Sequence, residues 1–165
     1  MLIQLRRRES GARFVHPMDP MPRTAILADG FQRTRLVRVF PHGWDAQAAR
    51  FQPTSVAAPV DQLRKLVHTG LQLEHAVIAF TYESDASLSL ADRDLFWRAF
   101  GVPVFEQFLG PNNELLAMEC DAHSGMHVVT GCSGLLLESE RCACGSRTPR
   151  LSRGPRVEEL VELLA

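Results

Sequence analysis

Apolar residues change between helical and extended spacing through the middle of the chain. Residues 61–69 carry apolar side chains at helical intervals and stop at Gly70, a residue type that commonly ends helices. Residues 75–82 form an apolar run that is typical of a strand covered on both faces. A helical pattern over residues 89–100 and an extended one over residues 102–105 follow. This alternation of helix and strand predicts an α/β fold with a parallel sheet.

Shorter apolar segments precede that unit. Residues 24–27 and 35–40 have the composition of short strands, and Asp29-Gly30 between them is a hairpin turn signal. Residues 1–22 are interrupted by prolines, so we expect them to form an extended N-terminal arm.

Polar residues in front of two helical patterns have the properties of caps. Asp45 is placed to cap a short helix over residues 46–51. Ser89 opens the later helix, and Asp92 three residues on completes a variant of the capping box. Prolines delimit residues 53–59, which we interpret as a linker.

The spacing changes to short strands after Pro111-Asn112-Asn113. Residues 114–120 and 126–130 read as two strands joined by a turn, which predicts antiparallel pairing. Residues 135–137 add a further strand, and residues 156–164 have the pattern of a last helix. The predicted fold class is therefore α/β, with a small parallel or mixed sheet, flanking helices and a short antiparallel region.

Length and composition favour a single soluble domain. The chain has 165 residues, of which 45% are hydrophobic and 22% charged, as in ordinary globular proteins. We assign residues 1–165 to one domain, with an α/β layer over residues 61–110 and the antiparallel region over residues 114–150. No apolar run has the length of a membrane span, and no apolar core follows Arg6-Arg7-Arg8. We therefore expect a cytoplasmic location and no membrane partner.

Charge is distributed unevenly along the chain. Residues 1–50 carry nine arginines against four acids, whereas residues 74–122 carry two arginines against nine acids. A nucleic-acid surface would combine such arginines with aromatic side chains. Arg33, Arg35 and Arg38 instead interleave mainly with aliphatic residues, as on a solvated strand face. We expect no nucleic-acid partner; another protein chain remains a candidate partner, and the pattern does not indicate an oligomeric state.

All four cysteines and two of the six histidines lie in one stretch of 25 residues, from Cys120 to Cys144. Sulfur and imidazole donors in two short clusters are the ligands that a tetrahedral zinc site needs. One arm has the spacing C-x2-H, and the other is C-x-C followed by a glycine, which allows the backbone to fold around a metal. The predicted Zn²⁺ ligands are Cys120, His123, Cys142 and Cys144, with His127 and Cys132 as alternatives.

Inert packed thiols and a redox-active C-x-C pair are the competing interpretations of these cysteines. A reducing cytoplasm favours metal binding over a disulfide. His123 lies on the predicted turn beside Cys120, whereas His127 lies in the returning strand and could face either way. Four protein ligands leave no open position for water, so the expected zinc is structural.

Short motifs in this part of the chain carry a family resemblance. Residues 101–107 read Gly-Val-Pro-Val-Phe-Glu-Gln. The cysteine region combines Glu119-Cys120, Gly125-Met126-His127, Cys142-Ala143-Cys144-Gly145 and Pro149-Arg150. Over roughly residues 70–152 the sequence resembles the phenylacetate–coenzyme A ligase family, adenylate-forming enzymes related to coenzyme F390 synthetases. The resemblance implies a structural zinc near the cysteines, as in some members of that family.

The ATP-binding motifs of that family have no counterpart here. A Gly/Ser/Thr-rich loop, which aims backbone N–H groups at phosphate oxygens, is missing from the sequence. The family's Tyr-Gly-x-Thr-Glu motif should fall at residues 105–113, which lack its threonine and glutamate. The ribose-binding Thr-Gly-Asp and the catalytic lid lysine are also missing, and Lys65 lies upstream in a predicted helix.

We therefore assign no catalytic residue and expect a stand-alone remnant, more an accessory or interaction module than an enzyme. The alternative is a subunit of an acyl-adenylate-forming ligase that needs a partner chain for ATP. Asp92 and Asp94 do not share a helix face, so we expect them and Glu106 to be solvated rather than a catalytic acid pair. Ser124, near His127, shows no strained elbow and no orienting acid that would make it a nucleophile.

Overall fold

The computed structural model describes residues 11–129, 137–138 and 140–151. The predicted helix over residues 156–164 and most of the predicted strand over residues 135–137 lie outside them. The elements in chain order are β1 (Thr24–Ile26), β2 (Val37–Val39), α1 (Ala46–Phe51), β3 (Ser55–Pro59), α2 (Val60–Leu66), a 3-10 turn (Val67–Thr69), β4 (Ala76–Tyr82), α3 (Leu90–Phe100), β5 (Val104–Leu109), β6 (Leu115–Glu119), β7 (Met126–Val128), β8 (Leu137–Glu138) and β9 (Arg150–Leu151).

All nine of these strands belong to one mixed sheet, in the order β2-β1-β3-β4-β5-β6-β7-β9-β8. Strands β2, β1, β3, β4 and β5 pair in parallel, and every pairing from β5 to β8 is antiparallel. The predicted α/β class with a mixed sheet and flanking helices is confirmed. Among the described helices, none is long and apolar enough to cross a bilayer.

Two local predictions about the N-terminal strands are wrong. The segment taken as a linker is β3, which pairs between β1 and β4, because Val56, Ala57 and Ala58 are small apolar residues buried on both faces. Asp29-Gly30 does not close a hairpin, since β1 and β2 run parallel. The proline that suggested a linker, Pro59, is the last residue of β3 and directly precedes α2. At that position its missing N–H removes no helical hydrogen bond.

The helices cover one face of the sheet. Alternate residues of the parallel strands pack against α2 and α3, as the two-residue period of a strand requires. Small side chains such as Ala58 and Ala79 leave room for the large ones of Leu63 and Phe96. The buried members of this cluster are Ala25, Leu27, Val56, Ala58, Leu63, Leu66, Leu73, Val77, Ala79, Leu88, Phe96, Phe100, Val102 and Val104.

The N-terminal segment covers the opposite face. Phe14, Phe31 and Phe80 pack together there, with ring centroids 5.1–6.4 Å apart. The side-chain amide of Gln107, buried in β5, donates to the carbonyl of Val15 at 2.7 Å. The described part of the arm is thus packed onto the sheet by aromatic contacts and a buried hydrogen bond.

Both predicted ends of α3 are confirmed, but the expected solvation of Asp92 is wrong. Ser89 accepts from the N–H of Asp92 at 3.0 Å, and Gly101 ends the helix with φ +66°. Asp92 is buried rather than solvated, because Arg64 donates two hydrogen bonds of 2.8 Å to its carboxylate. Phe96 and Phe100 of α3 are buried, whereas Leu95 and Trp97 are 39% and 54% exposed.

His16 links the arm to the centre of the sheet. Its Nδ1 accepts from the backbone N–H of Met18 at 3.0 Å, so Nε2 carries the proton and donates to Ser55 Oγ at 3.1 Å. Burial lowers the pKa of His16 to about 4. The folded protein therefore holds this imidazole neutral while the unfolded chain protonates it near pH 6.5.

We expect His16 to make the fold acid-sensitive. Because its pKa is lower in the folded state, stability should fall as the pH drops from about 6.5 towards 4. Urea unfolding at pH 7 and pH 4.5 should show the wild type losing about 1–2 kcal/mol more than His16→Asn, which cannot titrate. The exposed His68→Asn is the control and should lose as much as the wild type. Equal losses in wild type and His16→Asn would contradict the assignment.

Candidate metal centre

The hairpin of β6 and β7 supplies the first arm of the centre. In its register Glu119 pairs with Met126, and Met118 pairs with His127. Because side chains alternate along strands, Glu119 and Met126 point to one face, whereas Met118 and His127 point to the other. Cys120 directly follows Glu119, so it returns to the face of His127. A sulfur and an imidazole are thereby brought side by side.

A tight turn at Cys142–Gly145 supplies the second arm. The N–H of Gly145 donates to the carbonyl of Cys142 at 2.9 Å, and Gly145 has φ +91°. The first arm contains a matching turn, in which the N–H of His123 donates to the carbonyl of Cys120 at 3.0 Å and His123 has φ +49°. In each turn, the backbone N–H of the residue two positions after the first cysteine points at the sulfur of that cysteine.

The two arms meet in a compact group of four donors. Ligand atoms of Cys120, His127, Cys142 and Cys144 all lie within 4.8 Å of one another. The sulfurs of Cys120 and Cys142 are 3.6 Å apart, and Nε2 of His127 is 3.4 Å from the sulfur of Cys144. Metal–sulfur bonds of about 2.3 Å and metal–nitrogen bonds of about 2.0 Å give tetrahedron edges of roughly 3.5–3.8 Å. The Cys120–Cys142 and Cys144–His127 distances therefore match the edges of a tetrahedral metal site.

Protonation differs between the two inner cysteines. Burial raises the pKa of Cys120 to about 11, so its sulfur is a thiol in the bare protein. The backbone N–H of Cys144 lowers the pKa of Cys142 to about 6, which makes Cys142 a thiolate at neutral pH. At 3.6 Å their sulfurs are too far apart for a disulfide bond of about 2.05 Å. A bound cation would supply the charge that ionises Cys120.

Three of the predicted ligands are together in this group, and the fourth donor is His127 rather than His123. The His123 ring instead packs on Phe105, with centroids 5.0 Å apart, and its Nδ1 is 3.5 Å from the Glu119 carboxylate. Cys132 lies outside the described residues. The register of β6 and β7 favours His127 over His123, because His127 lies on the face to which Cys120 points.

On the face of the sheet opposite the cysteines, buried charged side chains attach the hairpin to β5 and α3. The carboxylate of Glu119 accepts from the backbone N–H of Glu106 at 2.7 Å and pairs with Arg93 of α3. Glu106, expected to be solvated, is buried in β5, and burial raises the pKa of its carboxyl. Its Oε1 accepts from the hydroxyl of Thr81 at 2.8 Å. This network could not be predicted from spacing in the sequence, because its residues lie on separate strands and a helix.

Ser124 has a structural role in the turn between β6 and β7. Arg150, which is buried in β9, donates to both the carbonyl and the hydroxyl oxygen of Ser124. The hydroxyl is also 3.9 Å from the sulfur of Cys142. Ser124 thus connects the two arms of the centre through Arg150 and Cys142.

Comparison with known proteins gives a likeness in fold. The sequence matches no protein-family model and no curated protein. Its structure is similar to a crystal structure of 2-hydroxyisobutyryl-CoA ligase in an open conformation, in complex with 2-HIB-AMP and CoA, with a TM-score of 0.53 and 13% sequence identity. The match covers 79% of this chain and 46% of the ligase chain. The chain therefore shares its fold with part of that ligase chain and spans about half of its length.

We expect the two histidines to behave differently on substitution. His127→Ala should lower the metal content of the purified protein severalfold, because it removes one of four donors, whereas His123→Ala should retain the wild-type content. Elemental analysis by mass spectrometry measures both proteins. Circular dichroism confirms that each variant is folded. Loss of metal from His123→Ala alone would move the ligand assignment to that residue.

Proposed function

We propose that this protein is a zinc-binding α/β module in which the metal has a structural role, and that it acts as a non-catalytic accessory or interaction protein. The observation that carries the proposal is the convergence of Cys120, His127, Cys142 and Cys144 from two separate arms. Three sulfurs and one imidazole are soft donors that favour zinc over calcium, magnesium or manganese. Together they fill a tetrahedral coordination sphere and leave no position for a reactive water.

The weak core around the site supports a structural role. The antiparallel end of the sheet has its own small buried cluster, formed by Phe108, Ala117, Met126 and Leu151. Within the described residues, β7 has three residues and pairs with both β6 and β9. The four buried side chains among these residues contribute little apolar surface for a region of several strands. A metal that ties Cys120 to Cys142 would contribute much of the missing folding free energy.

The carboxyl ends of the parallel strands support the absence of catalysis. Ligands of open α/β sheets bind at this edge, in a crevice between strand ends. Here the hydroxyl of Tyr82 donates to the side chain of Asn113 at 2.9 Å, and Asn113 donates to the carbonyl of Asp29 at 3.0 Å. These hydrogen bonds connect the ends of β4, β5 and β1 directly. The sequence also lacks a glycine-rich loop that would hold phosphates there.

We expect one zinc ion per chain in protein grown with zinc and purified without chelator. Cys142→Ser should abolish retention, because a serine hydroxyl replaces a thiolate ligand. Cys132→Ser tests the alternative ligand and should retain the wild-type zinc content if Cys120, His127, Cys142 and Cys144 complete the site. Elemental analysis gives the stoichiometry, and amide hydrogen exchange after treatment with a strong chelator gives the structural effect.

Chelation should reduce hydrogen-exchange protection over residues 115–128 and 140–151, while strands β3 and β4 stay protected. The latter belong to the large core under α2 and α3, which includes none of the candidate ligands. Stoichiometry below about a tenth of an equivalent would refute zinc binding itself. Unchanged protection after complete metal removal would refute a structural role.

The second candidate is a subunit of an acyl-adenylate-forming CoA ligase that obtains its ATP-binding loop from another chain. The likeness to 46% of a 2-hydroxyisobutyryl-CoA ligase chain favours it. In this arrangement a partner would supply the missing half, and the present chain would contribute a scaffold rather than catalytic groups. Identity of 13% leaves the substrate open.

ATP–pyrophosphate exchange distinguishes the two candidates. We expect the isolated chain to catalyse no exchange with 2-hydroxyisobutyrate or phenylacetate, because nothing in its sequence cradles the phosphates. A characterised CoA ligase serves as the positive control in the same assay. Exchange by the isolated chain, in a preparation free of contaminating ligases, would contradict the prediction. Exchange that appears only with a co-purified partner chain would favour the second candidate.

A further inference from the structure

A basic cavity lies at the end of the sheet far from the cysteines. It has a volume of about 420 Å³ and is formed between the end of β2 and helix α1. Strand β2 is one terminal strand of the sheet order, whereas the cysteine arms adjoin the other end. The cavity is therefore separate from the candidate metal centre.

Three arginines line this cavity without acidic partners. Across the described residues, no carboxylate lies within 4.0 Å of the guanidinium groups of Arg33, Arg38 or Arg50. Other arginines of the protein, such as Arg64 and Arg93, form ion pairs with aspartate or glutamate. Unpaired guanidinium groups around one concavity create a positive potential that attracts anions.

The remaining polar lining does not cancel this charge. Asp45 is the acid of the cavity wall, but its carboxylate accepts from the N–H of Ala48 at 2.8 Å as the cap of α1. His42 adds an imidazole that can donate to an anion, and Gln47 adds an amide. Three fixed positive charges against one negative charge leave the cavity cationic.

Apolar side chains form another part of the cavity wall. Phe40 and Phe51 line it, and their rings are 6.1 Å apart and tilted by 50°. Both rings are half-buried, and Val39 beside them is buried. Both rings also pack against the core under the helices, and the guanidinium of Arg23 lies over the Phe51 ring, 5.6 Å from its centroid. A ligand with an apolar part would cover this wall and exclude water from it.

We propose that this cavity binds a small organophosphate, with its phosphate held by Arg33, Arg38 and Arg50 and its apolar part placed against Phe40 and Phe51. Guanidinium groups donate in a planar fork that fits phosphate oxygens. The volume lies within the range of about 300–1,000 Å³ usual for small-molecule sites. The half-buried rings are not free to stack on successive bases, which disfavours single-stranded nucleic acid. The lining residues all lie within residues 33–51, a local concavity suited to a small molecule rather than to an extended acidic peptide.

Phenyl phosphate is a suitable probe because it joins a phosphate to an aromatic ring. Inorganic phosphate and phenol each carry one half of it and serve as comparison ligands. Titrations followed by amide NMR shifts should show saturable binding, with changes confined to residues near 33–51 and none over residues 115–128. Phenyl phosphate should bind more tightly than either half alone.

Charge-matched variants test the arginines. Arg38→Gln and Arg50→Gln should each weaken phenyl phosphate binding roughly tenfold, the usual effect of losing a hydrogen bond to a charged group. Arg35→Gln removes the same charge from an exposed residue that does not line the cavity, so its affinity should equal that of the wild type. All three positions are exposed, and circular dichroism verifies their folding.

Several outcomes would overturn the proposal. These are shift changes located elsewhere, equal weakening by Arg35→Gln and Arg38→Gln, or phenol binding as tightly as phenyl phosphate. Binding to an acidic peptide or to vesicles of anionic phospholipid, without binding to phenyl phosphate, would replace the small molecule by a macromolecular partner or a membrane surface. Because the cavity and the cysteines are far apart in the sheet, these results are independent of zinc content.

Discussion

The carboxylate of Glu119 fixes the junction between the parallel and antiparallel parts of the sheet. It accepts from the backbone N–H of Glu106 and pairs with Arg93, which attaches β6 to both β5 and α3. Removing one partner of a buried ion pair typically costs about 3–5 kcal/mol, because the other charge is left without compensation. Every strand beyond this junction takes its register from β6, and so does the position of the cysteine arms.

The two faces of the sheet at this junction carry different ionisable groups. On the helix side, the guanidinium of Arg93 pairs with the two carboxylates of Glu106 and Glu119, which leaves one carboxylate in excess. On the other side, sulfur and imidazole replace carboxylates around Cys120 and Cys142. The raised pKa of Cys120 and the lowered pKa of Cys142 mean that the bare pair shares one negative charge. A divalent cation would balance the additional ionisation that binding requires.

Local sequence signals predicted the features that depend on neighbouring residues. Ser89 and Gly101 marked the ends of α3 correctly, since capping and left-handed backbone are properties of a few adjacent positions. The three cysteines of the centre were likewise predicted from their clustering. Features that depend on pairing between distant residues could not be predicted. Pro59 made a central strand look like a linker, and nothing near Asp92 or Glu106 in sequence indicates their buried partners. The choice of His127 over His123 depended on the register of β6 and β7, which one sequence leaves open.

The donors of the centre differ in their exposure to solvent. Cys142 is buried and Cys120 is half-buried, whereas Cys144 lies exposed in a turn closed by two backbone hydrogen bonds. A bound ion would therefore be most accessible from the side of Cys144, and a competing ligand would approach the centre there.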